Sequence, residues 1–267
     1  MKKNKKKIVK IIATVSAIAA VVFGAYLLVK NDVTQKIDLN DLKIYAPNIA
    51  EEKSLDSAVN HDEKPSADRL PEDTKKDLTN KVRTFQNSCE NSVGWLYIPG
   101  TNINYPIMQA DDNEYYLHRA SDGSYLYAGS LFMDCKNNGN FGDFRSIIYG
   151  HNMKNGTMFA ELPNYFDEEY FKNHSFGWLT TGDEVRLVDF FAVANVKDTS
   201  PLYDLNLSAG KWENLLRQES EIYKEVDFSE NDHLIMLSTC TYSQGDDRTI
   251  LVGKIENERA DVNEKQD

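Results

Sequence analysis

The chain has 267 residues, which is enough for one domain of ordinary size with appendages but too few for two full domains. Its formal net charge is −12. The first 30 residues hold seven lysines and no acid, so residues 31–267 carry 23 bases against 42 acids, or −19. This acidic balance argues against a nucleic-acid partner, because phosphate binding needs basic patches.

The N-terminus has the pattern of a membrane anchor. A lysine cluster precedes Ile11 to Val29, nineteen residues without a charge, and Lys30 closes the run. As a helix this run would be about 28 Å long, close to the hydrocarbon thickness of a bilayer. The positive-inside rule places residues 1–30 as a cytoplasmic lysine cluster and single-pass signal anchor, with the remaining chain outside the cell. The alternative is a cleaved signal peptide, whose apolar region is normally only about 7–15 residues long.

The next segments predict a stalk and a helix. Residues 31–71 are polar and rich in charge, with three prolines, and this pattern predicts an extracellular stalk. Residues 72–91 have apolar side chains at helical spacing, which predicts an amphipathic helix. Thr74 and Asp77 match a capping box at its start. Cys89 continues the apolar stripe and is interpreted as a core thiol.

From Val93 onward short β-like runs alternate with Gly, Asn and Asp, and a polar tail follows at 257–267. This spacing favours a mainly β fold, a closed or nearly closed barrel with inserted helices. Helices are predicted near 167–173 and 208–223, the latter with Trp212, Leu215, Leu216 and Ile222 on one face. The predicted strands are Trp95–Ile98, Tyr105–Gln109, Ser130–Asp134, Arg145–Tyr149, Phe176–Thr180, Glu184–Val196, His233–Thr239 and Arg248–Ile255.

Three cysteines are too few for a disulfide framework. A bridge between Cys89 and Cys135 stays open, which leaves Cys240 as the odd thiol. It ends the apolar run of the seventh predicted strand. A thiol acts as a nucleophile only when deprotonated, and a free cysteine with a pKa near 8.5 needs a neighbouring cation. Arg248, on the next predicted strand, would return alongside it, where its guanidinium is suited to an oxyanion.

A general acid or base is also required, and histidine is the usual supplier. His61 falls in the predicted stalk, whereas His118 and His174 lie among surface-like polar residues. His233 begins the cysteine's own strand, roughly 23 Å from the thiol at about 3.3 Å per residue. His151 remains, and it follows a buried-looking strand just as Cys240 does.

Taken together, these segments carry a family resemblance. The strings "YGHNM" and "LSTC", with the arginine that follows, are similar to the three signature segments of the sortases, cysteine transpeptidases that anchor proteins to Gram-positive cell walls. The strings "VGWLYIPGTNINYPIMQADDNEYYL" and "GSLFMD" resemble the class B branch. The resemblance covers about residues 72–256. It implies an eight-stranded β-barrel with an N-terminal helical pack, which the 72–91 helix would supply.

The resemblance also implies roles and partners. Cys240 would be the nucleophile, His151 the acid and base, and Arg248 the oxyanion and substrate-positioning residue. The substrates would be secreted proteins with a sorting motif, cleaved after Thr, and the acceptor would be an amine of a peptidoglycan precursor, with no metal or organic cofactor. Class B members often have an acid after the cysteine, whereas here Thr241 and Tyr242 follow, so no carboxylate is assigned.

Several residues near these segments have two interpretations. Ser238 and Thr239 are either strand hydroxyls bonded at the barrel rim or donors to substrate. Tyr149, Tyr203 and Tyr242, with Trp178, either line a peptide groove or pack in the core and rim. Two rival functions are an extracellular cysteine peptidase with water as acceptor, and a non-catalytic module that binds the cell wall and in which the Cys240 thiol is inert.

Overall fold

A computed structural model describes residues 70–240 and 246–256 of the chain, with the side chain of Cys240 outside the description. Within these residues nine strands form one sheet. Their bounds are Ser92–Tyr97 (β1), Asn104–Met108 (β2), Leu131–Met133 (β3), Arg145–Tyr149 (β4), Phe176–Thr180 (β5), Val185–Lys197 (β6), Ser220–Tyr223 (β7), His233–Cys240 (β8) and Asp247–Ile255 (β9). The α-helices are Glu72–Ser88 (α1), Glu168–Asn173 (α2) and Ala209–Glu219 (α3), and 3₁₀ helices span Tyr115–His118, Leu162–Phe166 and Pro201–Tyr203.

The sheet closes into a barrel. The strand order is β5-β1-β2-β3-β4-β8-β9-β6-β7, and β5 also pairs with β6, so eight of the nine described strands form a ring. The long β6 makes this possible, because residues 185–189 pair with β5 and residues 188–197 pair with β9. β7 pairs only with the far half of β6. Closure removes the exposed edges of an open sheet, which explains how so many short strands form one stable unit.

The barrel is mixed, and its parallel pairs decide which loops meet. β2 pairs with β3 in parallel, and β4 pairs with β8 in parallel, whereas the other ring pairs are antiparallel. Parallel neighbours end at the same edge of a sheet. The residues that follow β4 and β8 therefore lie at one end of the barrel.

Helices cover the barrel on two sides. On one side, α1 buries Leu78, Val82 and Phe85 against a cluster that includes Trp95 and Trp178. On the other, α3 buries side chains in a second cluster that includes Ile147, Phe191, Trp212, Leu216 and Met236. Because both faces of the strands between them are covered, β8 is buried continuously from Leu234 to Thr239 rather than at alternate positions.

The eight predicted strands are all present, and the predicted closed eight-stranded barrel is confirmed. Three local predictions are wrong. Helix α1 begins at Glu72 after Pro71, without a side-chain cap, so Thr74 lies in the first turn and no capping box forms. It ends at Ser88, so Cys89 follows the helix, although its side chain packs against the predicted core stripe.

The third wrong prediction is the end of the second long helix, which stops at Glu219 instead of continuing to residue 223. The chain there forms β7, and Ile222 pairs with Val193 of β6. The available edge of β6 competes successfully with a helical turn that would have placed Ile222 beside Leu215. Cys89 and Cys135 are both free thiols, so the open question of a bridge between them is answered.

Residues 70–240 and 246–256 include no helix long and apolar enough to cross a membrane. The predicted anchor and polar tail lie outside the described residues, and so do residues 31–69 of the predicted stalk, including His61. Leu70, near the predicted end of the stalk, is buried in the core cluster beneath α1. The predicted domain boundaries therefore stay predictions.

Candidate active site

Two of the predicted site residues lie where adjacent parallel strands end: Cys240 is the last residue of β8, and His151 comes two residues after β4. In the register of β4 and β8, Tyr149 lies beside Ser238, and the Gly150 amide donates to the Ser238 carbonyl at 3.1 Å. His151 and Cys240 each come two residues after that last register pair. Position 150 is tightly packed, because a Cβ there would lie 2.5 Å from Leu131 Cδ2 and 2.7 Å from Phe159 Cδ2. The barrel thus brings His151 and Cys240 to the same end.

Arg248 reaches this end from the antiparallel direction. It is the second residue of β9 and lies directly opposite Cys240 in the β8–β9 ladder. Directly opposite residues of antiparallel strands have Cα atoms about 4.5–5.5 Å apart. The segment between them contains Tyr242, which lies outside the described residues. The structure therefore places all three predicted catalytic positions at one end of the barrel.

The imidazole of His151 is held by a main-chain carbonyl. Its Nε2 lies 2.8 Å from the carbonyl oxygen of Leu117. A carbonyl only accepts, so Nε2 donates, and in the neutral ring Nδ1 carries the lone pair. Burial lowers the pKa of His151, the Leu117 carbonyl opposes this by stabilising the charged form, and the neighbouring His118 lowers it again. The neutral form is therefore favoured in the resting site.

His118 is exposed, as the sequence suggested, but it also contacts His151. The two rings stack with centroids 5.4 Å apart and an interplanar angle of 17°. His118 also stacks on Tyr127, with centroids 5.7 Å apart, and its Nδ1 donates to the Tyr127 carbonyl at 2.9 Å. The ring is thus locked in place beside His151. No local pattern in "YYLHR" indicates this contact.

A cavity of about 330 Å³ joins these positions. Its wall includes six of the predicted or neighbouring site residues: Tyr149, His151, Tyr203, Ser238, Thr239 and Arg248. The wall is mainly apolar and aromatic with a few polar groups, as is usual for a ligand site. Asn113, Leu117 and Asp198 also line it and were missed by sequence reasoning. The first two fall within the segment that resembles class B sortases, whereas Asp198 has no local signal.

The polar groups of the wall are already oriented. Tyr203 and Ser238 share a hydrogen bond of 2.8 Å between their hydroxyls. Tyr149 donates to the Asp134 carboxylate at 2.9 Å, and Asn113 donates to the same oxygen at 2.8 Å. Burial, and then the Asp134 charge, raises the pKa of Tyr149, so it stays a neutral donor. These contacts hold the tyrosines as fixed walls.

Thr239 differs from Ser238 in its hydrogen bonding. Its Oγ1 is buried and has no hydrogen-bond partner among the described residues. An unsatisfied buried hydroxyl costs roughly 1–3 kcal/mol, and Thr239 as a residue lines the cavity. Ser238, by contrast, fits the interpretation as a hydroxyl satisfied at the rim.

The remaining candidates lie away from the cavity. Trp178 is 1% exposed and belongs to the core beneath α1, so its interpretation as core packing is confirmed. His174 stacks on Tyr170, and His233 begins β8 at the end of the strand opposite Cys240. Of the four histidines within residues 70–240 and 246–256, the structure brings His151 and His118 to the site.

The comparisons agree with this geometry. The Sortase domain family matches residues 96–256, more than half of the chain. Sortase B of Listeria monocytogenes is 35% identical over 189 residues, which cover 67% of this chain and 75% of that protein. Sortase B of Staphylococcus aureus is 28% identical over 182 residues, with 61% and 69% covered. The solved structure of sortase B from Listeria monocytogenes matches with a TM-score of 0.57 at 36% identity, covering 64% of this chain and 98% of that chain.

The closed mixed barrel and the similarity to sortases together identify the chain as a cysteine transpeptidase. The chain belongs to the sortase family, and its relatives are those of class B. The predicted family and enzyme class are therefore confirmed.

Proposed function

We propose that this chain is a membrane-anchored sortase that cleaves a C-terminal sorting motif after threonine and transfers the protein to an amine of a peptidoglycan precursor. One observation supports the proposal most directly. Cys240, His151 and Arg248 come from three separate segments, and the register of β4, β8 and β9 brings them to one end of the barrel. A wall-binding module without catalysis has no need of this combination.

In the first half-reaction the Cys240 thiol gives its proton to His151, and the thiolate attacks the carbonyl carbon of the threonine. His151 Nδ1 is the acceptor, because Nε2 already donates to Leu117. The C–N bond breaks, and the proton passes from His151 to the leaving amine. The product is a thioester. Arg248 donates hydrogen bonds to the oxygen that becomes negative during the attack.

In the second half-reaction the acceptor amine attacks the thioester carbonyl. It loses a proton to His151, the C–S bond breaks, and the proton returns to the cysteine sulfur. A thioester suits transfer because amines attack it readily, whereas water does so slowly. Neutral His151 is the form required as base here, which agrees with the lowered pKa.

The peptide is proposed to occupy the cavity beside these residues. Tyr149 and Tyr203 stack with centroids 6.4 Å apart and offer a rigid aromatic wall. Thr239 lines the cavity and is proposed to contact the peptide, while Ser238 supports Tyr203. Tyr242 belongs to the proposed groove by its place in the sequence.

The location is proposed from the N-terminal sequence. The charge-free run Ile11 to Val29 and the lysines before it would hold the N-terminus in the cytoplasm and the enzyme outside the membrane. A cell-wall acceptor and secreted substrates are reached only on that side. Water in place of the amine would make the same site a cysteine peptidase.

The test is thioester formation and its partition between acceptors. The protein is incubated with peptides carrying NPxTN-like or LPxTG-like motifs, with and without an added amine, and acyl-enzyme and products are followed by mass spectrometry. We expect a thioester on Cys240 in the wild type, a new amide with the amine, and neither with Cys240→Ala. Cleavage that never yields the amide would establish the peptidase instead.

Cysteine labelling provides an internal control. A mild alkylating reagent should modify Cys240 well before Cys89 or Cys135. Burial raises the pKa of Cys89, so it should react slowly. Equal rates for all three thiols would contradict the assignment of Cys240 as an activated nucleophile and would favour the binding module.

A further inference from the structure

The turn after β6 places a carboxylate on the guanidinium of Arg248. Asp198 Oδ2 lies 3.3 Å from Arg248 Nη2, and both residues line the cavity. We propose that Asp198 is a positioning residue, which holds Arg248 in the orientation needed to donate to the oxyanion. The inference rests on the proposed acyl transfer and adds a carboxylate from an element far from the cysteine in sequence.

The guanidinium is fixed at two points. Nη2 contacts Asp198, and Nη1 donates to the main-chain carbonyl of Asp247 at 3.1 Å. A guanidinium is planar, so two anchored nitrogens define the plane in which its N–H groups point. Without the carboxylate, the side chain loses its anchor at Nη2 and gains rotational freedom about its bonds.

Asp198 is itself held in place by the main chain. The β6–β9 ladder ends at Lys197 opposite Asp247, and one residue later the Asp198 amide donates to the Asp246 carbonyl at 2.9 Å. The carboxylate therefore starts from a backbone position locked to the strand that carries Arg248. Such a short, closed connection limits the positions that the carboxylate reaches.

A second ion pair involves Asp247, the acid next to Arg248 in the sequence. Lys197 Nζ lies 2.5 Å from Asp247 Oδ1. Asp247 precedes Arg248 directly, so the Lys197–Asp247 pair and the Asp198–Arg248 pair lie side by side between β6 and β9. Asp198 is a carboxylate that contacts the Arg248 guanidinium.

The contribution of this pair lies in orientation rather than stability. Asp198 is 41% exposed and Arg248 is 22% exposed at the side chain, and pairs of this kind add little to stability. A purely electrostatic effect has the opposite sign, because a nearby negative charge weakens the field that Arg248 offers an oxyanion. Removal of the charge would then speed acylation. The two explanations therefore predict opposite results.

The experiment compares Asp198→Asn with Asp246→Asn in the full-length chain. Asp246 is exposed, and its main-chain carbonyl accepts from the Asp198 amide, so its variant removes a charge nearby but keeps the Asp198–Arg248 ion pair. Peptide acylation is measured as kcat and KM with the best of the NPxTN-like or LPxTG-like peptides. We expect kcat to fall about tenfold for Asp198→Asn, with KM within about twofold, and no more than about a twofold change for Asp246→Asn.

A double-mutant cycle shows whether the effect passes through Arg248. In an Arg248→Lys background, Asp198→Asn should reduce the residual kcat by less than about twofold. Asp198→Glu should restore part of the loss in the wild-type background, and thermal melting should be unchanged in each variant. These readouts separate positioning from a general loss of structure.

Three results would overturn the inference: equal effects of Asp198→Asn and Asp246→Asn, faster acylation by Asp198→Asn, or a full tenfold loss in the Arg248→Lys background. Failure of the proposed function is a different result, because the wild type would then form no thioester with any peptide of the panel. That outcome would reject the positioning role together with the reaction.

Discussion

Replacement of Trp212 by Phe tests how the segment that carries Tyr203 is held against the barrel. Trp212 lies in α3 with no exposed surface, and its Nε1 donates to the Leu202 carbonyl at 3.0 Å. Leu202 immediately precedes Tyr203, which lines the cavity. The buried hydrogen bond therefore connects the packing of a helix to the position of a cavity wall.

The expected magnitude has two parts. Phe leaves the buried Leu202 carbonyl without this donor, which costs about 1–3 kcal/mol. The smaller ring vacates about 40 Å³, which adds about 1 kcal/mol at roughly 24 cal/mol per Å³. The free energy of unfolding should therefore fall by about 2–4 kcal/mol for Trp212→Phe.

Trp178→Phe is the matched control. Trp178 is 1% exposed, but its Nε1 has no hydrogen-bond partner among the described residues. The same change of ring removes a similar volume there without breaking a hydrogen bond, so about 1 kcal/mol or less should be lost. Urea unfolding, followed by circular dichroism on a chain beginning near Lys36, measures both variants. Equal losses for the two would refute the assigned contribution of the Leu202 bond.

Three further predictions concern catalysis, protonation and topology. Arg248→Lys should keep the fold and thiol labelling but lose about 10²–10³ in turnover, since lysine lacks the paired donors; near wild-type turnover would remove the assigned role. His118→Phe keeps the stacked ring without its charge, so the pKa of His151, measured by NMR, should rise but stay below the ordinary value, since burial is the larger cause; an unchanged pKa would contradict the coupling. In intact cells external protease should digest the domain while its anchor stays in the membrane, and release of a cleaved soluble form would show that Ile11 to Val29 is a signal peptide.

The lowered pKa of His151 also makes the free energy of unfolding depend on pH. A histidine whose pKa is lower in the folded than in the unfolded protein contributes stability above the unfolded value of about 6.5, and this is lost as the pH falls. Unfolding free energy should therefore decrease on acidification below that value, and the decrease should be smaller in His118→Phe. The higher pKa of His151 and the weaker pH dependence of stability in His118→Phe would both arise from loss of the contact between His118 and His151.

Much of the barrel was predictable from local patterns. Each barrel strand is a short run rich in β-branched or aromatic residues and bounded by Gly, Asn or Asp, and Arg145–Tyr149 and Phe176–Thr180 begin and end as predicted. Such patterns act over a few residues, so they survive without knowledge of the partner strand. The placement of Cys240 and His151 at strand ends followed from the same local evidence.

Local evidence was insufficient where a partner decided the outcome. The segment around Ile222 has helical spacing, yet it forms β7, because the free edge of β6 offers main-chain hydrogen bonds and burial that a further helical turn does not. Likewise, Thr74 and Asp77 fit a capping pattern, but the packing of α1 against the barrel is compatible with a start at Glu72. For Ile222, a tertiary contact overrides a weak local preference.

By itself, the sequence determined the strands, their chemistry and the residues that end them, because hydrophobic periodicity and turn residues act locally. Only the tertiary structure decided which ends meet. The parallel pairing of β4 with β8 joins segments almost ninety residues apart, and closure through β6 brings Asp198 to Arg248, fifty residues away. The hydrogen bond between His151 and Leu117 uses the main-chain carbonyl of Leu117. Every residue type has this carbonyl, so the identity of residue 117 does not reveal the contact. No local pattern records such contacts, since they depend on the register and packing of the whole barrel.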